Sequence, residues 1–198
     1  MRFLVPWILA STSPRREKLL REIVPNFKIC NPDVQEYRSA HAGEAPLTVC
    51  QKNAQLKAAQ VSKQFPEYMV LGADTIVVLD NQVLNKPRDL QEACQMLEKL
   101  SGRTHSVFTA VCCRYKVFSY QFYDESRVSF SQLTEDQIDT YVKAVHPLDK
   151  AGAYAIQEPI TQSIAHYEGS LNNIIGLPTE KLLAILQNEP AWQAFVAA

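Results

Sequence analysis

The residues that follow the first apolar segment have the chemistry to bind an anion. The segment at 5–10 is apolar and ends at three consecutive hydroxyl residues, which are followed by a proline and then by Arg15 and Arg16. Ser13 is a favourable helix N-cap and proline suits the first helical position, so a helix is expected to start here with free N–H groups. A helix start favours phosphate, and arginine can donate two N–H groups to it at once. We therefore predict that Ser11, Ser13 and Arg16 bind phosphate, while an ordinary capped helix with two solvated arginines would give the same local pattern.

Two carboxylates are candidates for acid–base or metal chemistry. Asp74 follows the apolar segment 69–73, which predicts a position at or near the end of a strand, where clefts often open. A carboxylate in that position can hold a metal or accept a proton from water, although an aspartate in a β-turn would look the same. Glu36 ends the segment Pro-Asp-Val-Gln-Glu at 32–36, in a predicted loop, where it is either a metal ligand or a solvated side chain.

The apolar periodicity predicts helices and strands that must position these residues. The predicted strands are 7–10, 27–29, 69–73, 76–79, 83–84, 104–115, 117–130 and 160–167. The predicted helices are 14–23, 47–63, 89–100, 134–144 and 179–187, with capping boxes at 89–92 and 134–137. Because several strands adjoin in hairpins, this order favours a mixed α/β sheet over a purely parallel one. The last residues, with Trp192 and Phe195, either pack or fray.

Composition and charge narrow the classes of function. The chain has 198 residues and a formal net charge of −1, so it suits one domain, or two lobes that share a sheet, and has no global basic field for nucleic acid. The apolar start is too short to span a membrane and indicates a first strand. The five cysteines lack metal-binding spacing, which favours reduced thiols in a cytoplasmic protein. The adjacent Cys112 and Cys113 should point to opposite faces of a strand.

The sequence also lacks the familiar metal and nucleotide motifs. The histidines at 41, 105, 146 and 166 show neither HxH nor HExxH spacing. No GxxxxGK[ST] loop is present, which excludes a P-loop nucleotidase on motif grounds. The cofactor we expect is therefore Mg²⁺ or Mn²⁺, held by carboxylates and phosphate oxygens.

Six segments match the signatures of one protein family, in the family's order. They are LASTSPRREKLL at 9–20, GADTIVV at 72–78, KPRD at 86–89, LSGRTHSV at 100–107, DKAGAYAIQ at 149–157 and GLP at 176–178. With these segments the chain closely resembles the Maf family of nucleotide pyrophosphatases. The resemblance implies a two-lobed α/β fold with a central cleft, an arrangement shared with the inosine-triphosphate pyrophosphatases.

The resemblance also implies roles for the two carboxylates. In the family, the aspartate of the GADT segment is the proton acceptor, which implies that role for Asp74, and we assign Asp74 and Glu36 to a metal site. The family often reads PDxDE at 32–36. Gln35 stands here where a carboxylate is common, which removes one possible negative charge from the site.

Three lysines fall in matched segments, which implies that they bind phosphate. Lys57 matches the family's Lys-Ala pair, and Lys86 and Lys150 lie in the KPRD and DKAGAY segments. Taken locally, each also fits a surface lysine, and Lys150 fits an ion pair with Asp149. A nucleoside triphosphate carries roughly four negative charges, of which a divalent metal cancels only part, so several cations are needed.

Three residues match positions assigned to substrate choice in the subfamily that prefers dTTP and UTP. They are Arg15, Thr75 and Gln157. A glutamine amide both donates and accepts, so Gln157 can pair with the N3–H and a carbonyl of uracil or thymine. Ala155 replaces the family's usual glycine, and it would be strained, and could shift Gln157, if the backbone φ there were positive.

The resemblance therefore implies a metal-dependent nucleoside triphosphate pyrophosphatase. It would cleave dTTP, UTP or modified pyrimidine nucleotides into a monophosphate and pyrophosphate. One alternative is the same chemistry on 7-methyl-GTP or another triphosphate, and a second is a regulatory binding protein in septum formation. The resemblance also implies a homodimer, and we expect a cytoplasmic protein with no nucleic-acid or membrane partner.

Overall fold

A computed structural model describes residues 2–37 and 44–197 as a mixed α/β structure. The strands in these ranges are Arg2–Phe3 (β1), Trp7–Ala10 (β2), Phe27–Ile29 (β3), Met69–Leu79 (β4), Gln82–Leu84 (β5), Thr104–Tyr115 (β6), Phe118–Phe130 (β7), Ala165–Glu168 (β8) and Val196–Ala197 (β9). The α-helices are Pro14–Arg21 (α1), Pro46–Gln64 (α2), Leu90–Leu100 (α3), Glu135–Val145 (α4), Pro159–Gln162 (α5), Leu171–Ile175 (α6) and Thr179–Asn188 (α7). Short 3₁₀ turns occupy Pro147–Asp149, Ala151–Ala153 and Pro190–Trp192. The predicted loop at 31–45 lies partly, and His41 wholly, outside the described residues.

The predicted mixed sheet is confirmed. The main sheet has seven strands, six of them in the order β3-β2-β4-β6-β7-β8, and β5 pairs with β4. β2 runs parallel to β3 and β4, and the other pairs are antiparallel. β1 and β9 form a separate antiparallel pair that joins the two ends of the described chain. None of the described helices is both long and apolar enough to cross a membrane.

The helix starts follow from local capping. The Ser13 hydroxyl caps α1 and Thr134 opens α4 with a complete capping box, both as predicted. Asp89 caps α3 by accepting the Glu92 N–H. The predicted capping box at 89–92 is only half formed, because the Glu92 carboxylate instead accepts the N–H and Nε–H of Arg88.

The buried side chains form three clusters, of which two lie at one end of the long strands and one lies at the other end. At one end, α1 and α7 cover one face of β2 and β4, while α2 covers the other face. At the other end, α3 and α4 pack on β4, β6 and β7. As predicted, Cys112 and Cys113 point to opposite faces and belong to different clusters. Trp192 is fully buried against Trp7, so the C-terminal segment packs on the sheet.

The middle of β4 differs from the sequence prediction. We predicted two strands, 69–73 and 76–79, but the structure has one continuous strand, so Asp74 lies in its interior and not at its end. β2 pairs with β4 as far as Gly72, and β5 pairs with it from Val77 onward. Among the described strands, nothing pairs with that edge of β4 at 73–76. The cleft expected at a strand end is therefore a gap in the sheet, where a neighbouring strand ends.

One further prediction is wrong, and the condition attached to Ala155 is not met. The predicted strand 160–167 starts as the short helix α5, with Pro159 in its first turn, and β8 covers only Ala165–Glu168. Ala155 does not have a positive φ, so the strain considered for it does not arise. The left-handed residues of this segment are Gly152, with φ 68°, and Ala153, with φ 61°.

We predict that Gly72→Ala separates α2 from β4. A Cβ on Gly72 would lie 2.5 Å from the Ala54 carbonyl oxygen and 2.7 Å from the Ala58 backbone nitrogen, and neither backbone atom can turn away. Overpacking of this kind costs about 1–3 kcal/mol in the free energy of unfolding. Urea unfolding of the purified variant measures the loss, and an unchanged unfolding midpoint would contradict the tight packing described here.

Candidate active site

The gap in the sheet opens into a cleft of about 1170 Å³. Asp74 and Thr75 are consecutive in β4 and so point to opposite faces of the sheet. The partners of Asp74 are on α2, whereas those of Thr75 are on α1 and β6. Both nevertheless line the cleft, because no described strand covers that edge of β4. The gap thus allows side chains from both faces of the sheet to line one site.

Asp74 is held by two donors from α2. Its Oδ1 accepts a hydrogen bond of 2.8 Å from Lys57 Nζ, and its Oδ2 accepts one of 3.1 Å from Asn53 Nδ2. Lys57 Nζ also contacts a Glu36 carboxylate oxygen at 2.9 Å. Asp74 and Lys57 are 6% and 4% exposed, so their charges interact with little screening by water. The two predicted metal ligands therefore both contact one buried ammonium group.

The charges around Glu36 favour its ionised form. Partial burial raises the pKa of Glu36, but Lys57 lowers it by charge and by a hydrogen bond, and Lys86 and Arg16 add to this. The net effect is a pKa below the usual glutamate value. Glu36 is thus a carboxylate, and not a carboxylic acid, at neutral pH.

The carboxylate pair fits a hard divalent cation. Glu36 and Asp74 offer oxygen atoms, which Mg²⁺ and Mn²⁺ prefer, and Lys57 already shows that a cation can contact both. Within residues 2–37 and 44–197, no cluster of three or more His, Cys, Asp or Glu side chains could hold a metal alone. A site built on these two carboxylates would therefore need water or substrate oxygens to complete it, which is typical of Mg²⁺ bound with phosphates.

The start of α1 forms an anion-accepting corner of the cleft. The Ser13 N–H donates to Ser11 Oγ at 3.1 Å, and Ser13 Oγ accepts the Arg16 N–H at 3.4 Å. Ser11 is buried and Ser13 is half-buried, and both line the cleft. Since helix starts favour negative charge, the corner suits a phosphate group.

The two neighbouring arginines have different surroundings. Arg16 donates from Nε to the Gly176 carbonyl oxygen at 2.9 Å and from Nη2 to Thr75 Oγ1 at 3.0 Å. Burial lowers the pKa of Arg16, and the charge of Asp74 opposes this effect. Arg15 instead forms an ion pair of 2.9 Å with Asp149, at the far side of the cleft. Of the two arginines, Arg16 is therefore the one that contacts Thr75.

The remaining predicted residues come from the segments 85–88 and 149–157. Asp149 accepts hydrogen bonds from both Arg15 and Lys150. Lys86 is exposed at the rim of the cleft, and Gln157 is half-buried in its lining. All eleven predicted site residues thus line one cleft: Ser11, Ser13, Arg15, Arg16, Glu36, Lys57, Asp74, Thr75, Lys86, Lys150 and Gln157.

Comparison with known proteins identifies the family of this chain. The family model described as "Maf-like protein" matches residues 6–189. The chain belongs to the Maf family. A dTTP/UTP pyrophosphatase of Bacillus cytotoxicus is 40% identical over 181 residues, which cover 91% of this chain and 94% of that protein. A dTTP/UTP pyrophosphatase of Symbiobacterium thermophilum is 42% identical over 179 residues, which cover 90% and 91%.

Sequence reasoning missed two residues that shape this Maf site. Asn53 exchanges hydrogen bonds with the backbone of Tyr37 and orients Asp74. Its spacing of four residues from Lys57 on a predicted helix was a usable signal, because residues i and i+4 share a helix face. Thr109 hydrogen-bonds to Thr75 from β6, and no local motif marks it.

Buried hydroxyl groups hold the segment that carries Lys150 and Gln157. The Tyr141 hydroxyl accepts the Ala155 N–H at 3.1 Å and hydrogen-bonds to Thr161 at 2.9 Å. The Tyr154 hydroxyl hydrogen-bonds to His105 Nε2 at 2.8 Å. His105 is 3% exposed. The DKAGAY segment is thus fixed from its buried side, while its polar residues face the cleft.

We predict that His105 makes the stability of this segment depend on pH. Burial lowers the pKa of His105 to about 4. In the unfolded chain histidine titrates near pH 6.5, so the stability that neutral His105 provides is complete above that pH and is lost as the pH falls towards 4. The expected loss is about 3 kcal/mol in the free energy of unfolding.

The variant His105→Gln tests this prediction, because glutamine can still hydrogen-bond to Tyr154 but does not titrate. Urea unfolding at a series of pH values between 7 and 4 should show a shallower loss of stability in the variant than in the wild type. Parallel profiles for the two proteins would contradict the assignment.

Proposed function

We propose that this Maf protein is a divalent-metal-dependent pyrophosphatase that hydrolyses dTTP and UTP. The observation that carries the proposal is the buried Asp74, held by Lys57 and Asn53 in a cleft beside Glu36 and the α1 start. The names of the two relatives support the choice of substrates. Modified pyrimidine nucleotides share the same recognisable groups and belong to the same proposal.

In the proposed reaction, one bond to the α-phosphorus forms and another breaks. A water oxygen attacks this phosphorus, the bond between it and the oxygen that bridges to the β-phosphorus breaks, and pyrophosphate leaves with the bonding electrons. Asp74 accepts the proton that the attacking water loses. Its two oxygens keep free lone pairs after the hydrogen bonds from Lys57 and Asn53, so it can orient a water molecule while it remains ionised.

Glu36 and Asp74 would hold the metal. When bound, Mg²⁺ or Mn²⁺ polarises the phosphate oxygens and neutralises part of their charge. The Lys57 ammonium holds both carboxylates in place, and it can donate to a phosphate oxygen once either contact loosens. The proposed metal site does not use Gln35, which lies in the lining of the cleft beside Glu36.

The cleft carries enough cations to balance a triphosphate of roughly four negative charges. Arg16 keeps three N–H groups free after its bonds to Thr75 and Gly176. Lys86 and Lys150 approach from the other side of the cleft, where Lys150 now pairs with Asp149. We infer that phosphate binds between these groups, with Ser11 and Ser13 at the helix start.

We propose that Gln157, Thr75 and Arg15 select the base of the nucleotide. The Gln157 amide lines the cleft and has no hydrogen-bond partner within residues 2–37 and 44–197, so both its donor and its acceptor are available to a base. A carbonyl of uracil or thymine can accept from the Gln157 amide, which leaves the N3–H of the base to a neighbouring acceptor. Arg15 contributes if its exposed ion pair with Asp149 opens when the nucleotide binds.

From the family resemblance we further propose a cytoplasmic homodimer. Sedimentation should then give about twice the mass of one 22.3 kDa chain.

A hydrolysis assay with a panel of nucleotides tests the function directly. We expect dTTP and UTP to give the monophosphate and pyrophosphate with Mg²⁺ or Mn²⁺, and to give neither product after chelation of the metal. Release of diphosphate and inorganic phosphate would contradict cleavage at the α-phosphorus. A preference for 7-methyl-GTP would replace the substrate assignment, and binding without any hydrolysis would favour a regulatory protein.

We predict that Asp74→Asn lowers kcat by about 10²–10⁴-fold, because asparagine cannot accept the proton and is a poorer metal ligand. The matched control is Asp80→Asn, which removes an exposed carboxylate that pairs with Arg103 outside the cleft. This control should keep wild-type activity. A folded Asp74→Asn protein with near-normal kcat would remove Asp74 from the mechanism.

A further inference from the structure

A line of hydrogen bonds crosses the sheet behind the cleft. Arg16 Nη2 donates to Thr75 Oγ1 at 3.0 Å, Thr75 and Thr109 share a hydrogen bond of 2.9 Å, and Thr109 donates to the Asn173 carbonyl oxygen at 2.8 Å. Thr75 and Thr109 are directly opposite each other in the β4–β6 register, which brings their hydroxyl groups together. Thr109 is completely buried, whereas Thr75 lines the cleft.

The number of protons fixes the direction of these bonds. A carbonyl oxygen can only accept, so the single hydroxyl proton of Thr109 points to Asn173. Thr109 must then accept in its bond with Thr75, so the hydroxyl proton of Thr75 is donated to Thr109. Arginine can only donate, so Thr75 accepts from Arg16.

The Asn173 carbonyl depends on Thr109. At the end of α6, the N–H groups of Gly176 and Leu177 both donate to the Asn172 oxygen and leave the Asn173 oxygen to another partner. In the part of the chain that the structure describes, that partner is Thr109. If Thr109 turned its proton to Thr75, a buried carbonyl would lose its hydrogen bond, which is unfavourable.

We propose that Thr109 is a positioning residue for base selection, because it makes the Thr75 hydroxyl an acceptor towards the cleft. After the bonds to Arg16 and Thr109, Thr75 Oγ1 keeps one lone pair and no free proton. It can accept from the N3–H of uracil or thymine, but it has nothing to donate to the N3 lone pair of cytosine. The proposal rests on the proposed function and predicts that the site favours UTP over CTP.

Removing the Thr109 hydroxyl should relax this selection. In Thr109→Val the Thr75 proton is free to turn to the cleft, so Thr75 can donate to cytosine N3. We expect the ratio of kcat/KM for UTP to that for CTP to fall about 3- to 10-fold, the value of one hydrogen bond. Thr109→Ser retains the hydroxyl and is the matched control, with a ratio within about twofold of wild type.

Both nucleotides are assayed on the same preparation, so a loss of folded protein lowers both rates and leaves the ratio unchanged. Thr109→Ala provides a second test if valine prevents folding. An unchanged ratio in the variants, with wild type preferring UTP, overturns the inference and leaves the proposed function intact.

Two wild-type measurements separate the proposal from its premise. UTP methylated at N3 lacks the donor, and we expect it to be a poor substrate. If wild type hydrolyses it as well as UTP, the N3–H is not recognised and the inference is wrong, although the pyrophosphatase assignment stands. If wild type hydrolyses UTP and CTP equally, the proposed substrate preference itself fails, and the inference fails with it.

Discussion

The edge of β4 at 73–76, with which none of the described strands pairs, is the constraint on which the site depends. A strand with neighbours on both sides presents alternate side chains to separate layers of the fold. Here β2 ends at Ala10 and β5 begins to pair at Val77, so Asp74 and Thr75 reach the same space from opposite faces. The groups held by α2 and those held by α1 can therefore act on one molecule.

Much of the fold was predictable, because local patterns determine it. The strands Trp7–Ala10 and Phe27–Ile29 have the predicted bounds, and the hairpin of β6 and β7 follows from two long β-rich segments. Errors occurred where distant pairing decides the outcome. Residues 69–79 form one strand because β6 pairs with it along most of its length, and no sequence pattern within the segment shows this.

The sequence predicted which residues line the cleft better than it predicted the contacts between them. Matched segments placed Asp74, Lys57 and Glu36 in one site, and the structure brings them together around one ammonium group. Local chemistry alone does not distinguish Arg15 from Arg16, but successive helical residues point about 100° apart, so Arg16 contacts Thr75 and Arg15 reaches across the cleft to Asp149. Their different contacts depend on residues that lie 59 to 160 positions further along the chain.

The ion pair of Arg15 with Asp149 has a consequence for the resting protein. Clustered cations repel one another, and a cleft built to receive polyanions would otherwise be electrostatically strained when empty. Asp149 lessens this repulsion at Arg15 and Lys150 by acting as an internal counter-ion. Because the pair is exposed to solvent it contributes only about 0–1 kcal/mol, so an incoming ligand can replace it at low cost. Arg15 and Lys150 are thus neutralised by Asp149 in the empty protein, and both become available when an anionic ligand takes the place of that carboxylate.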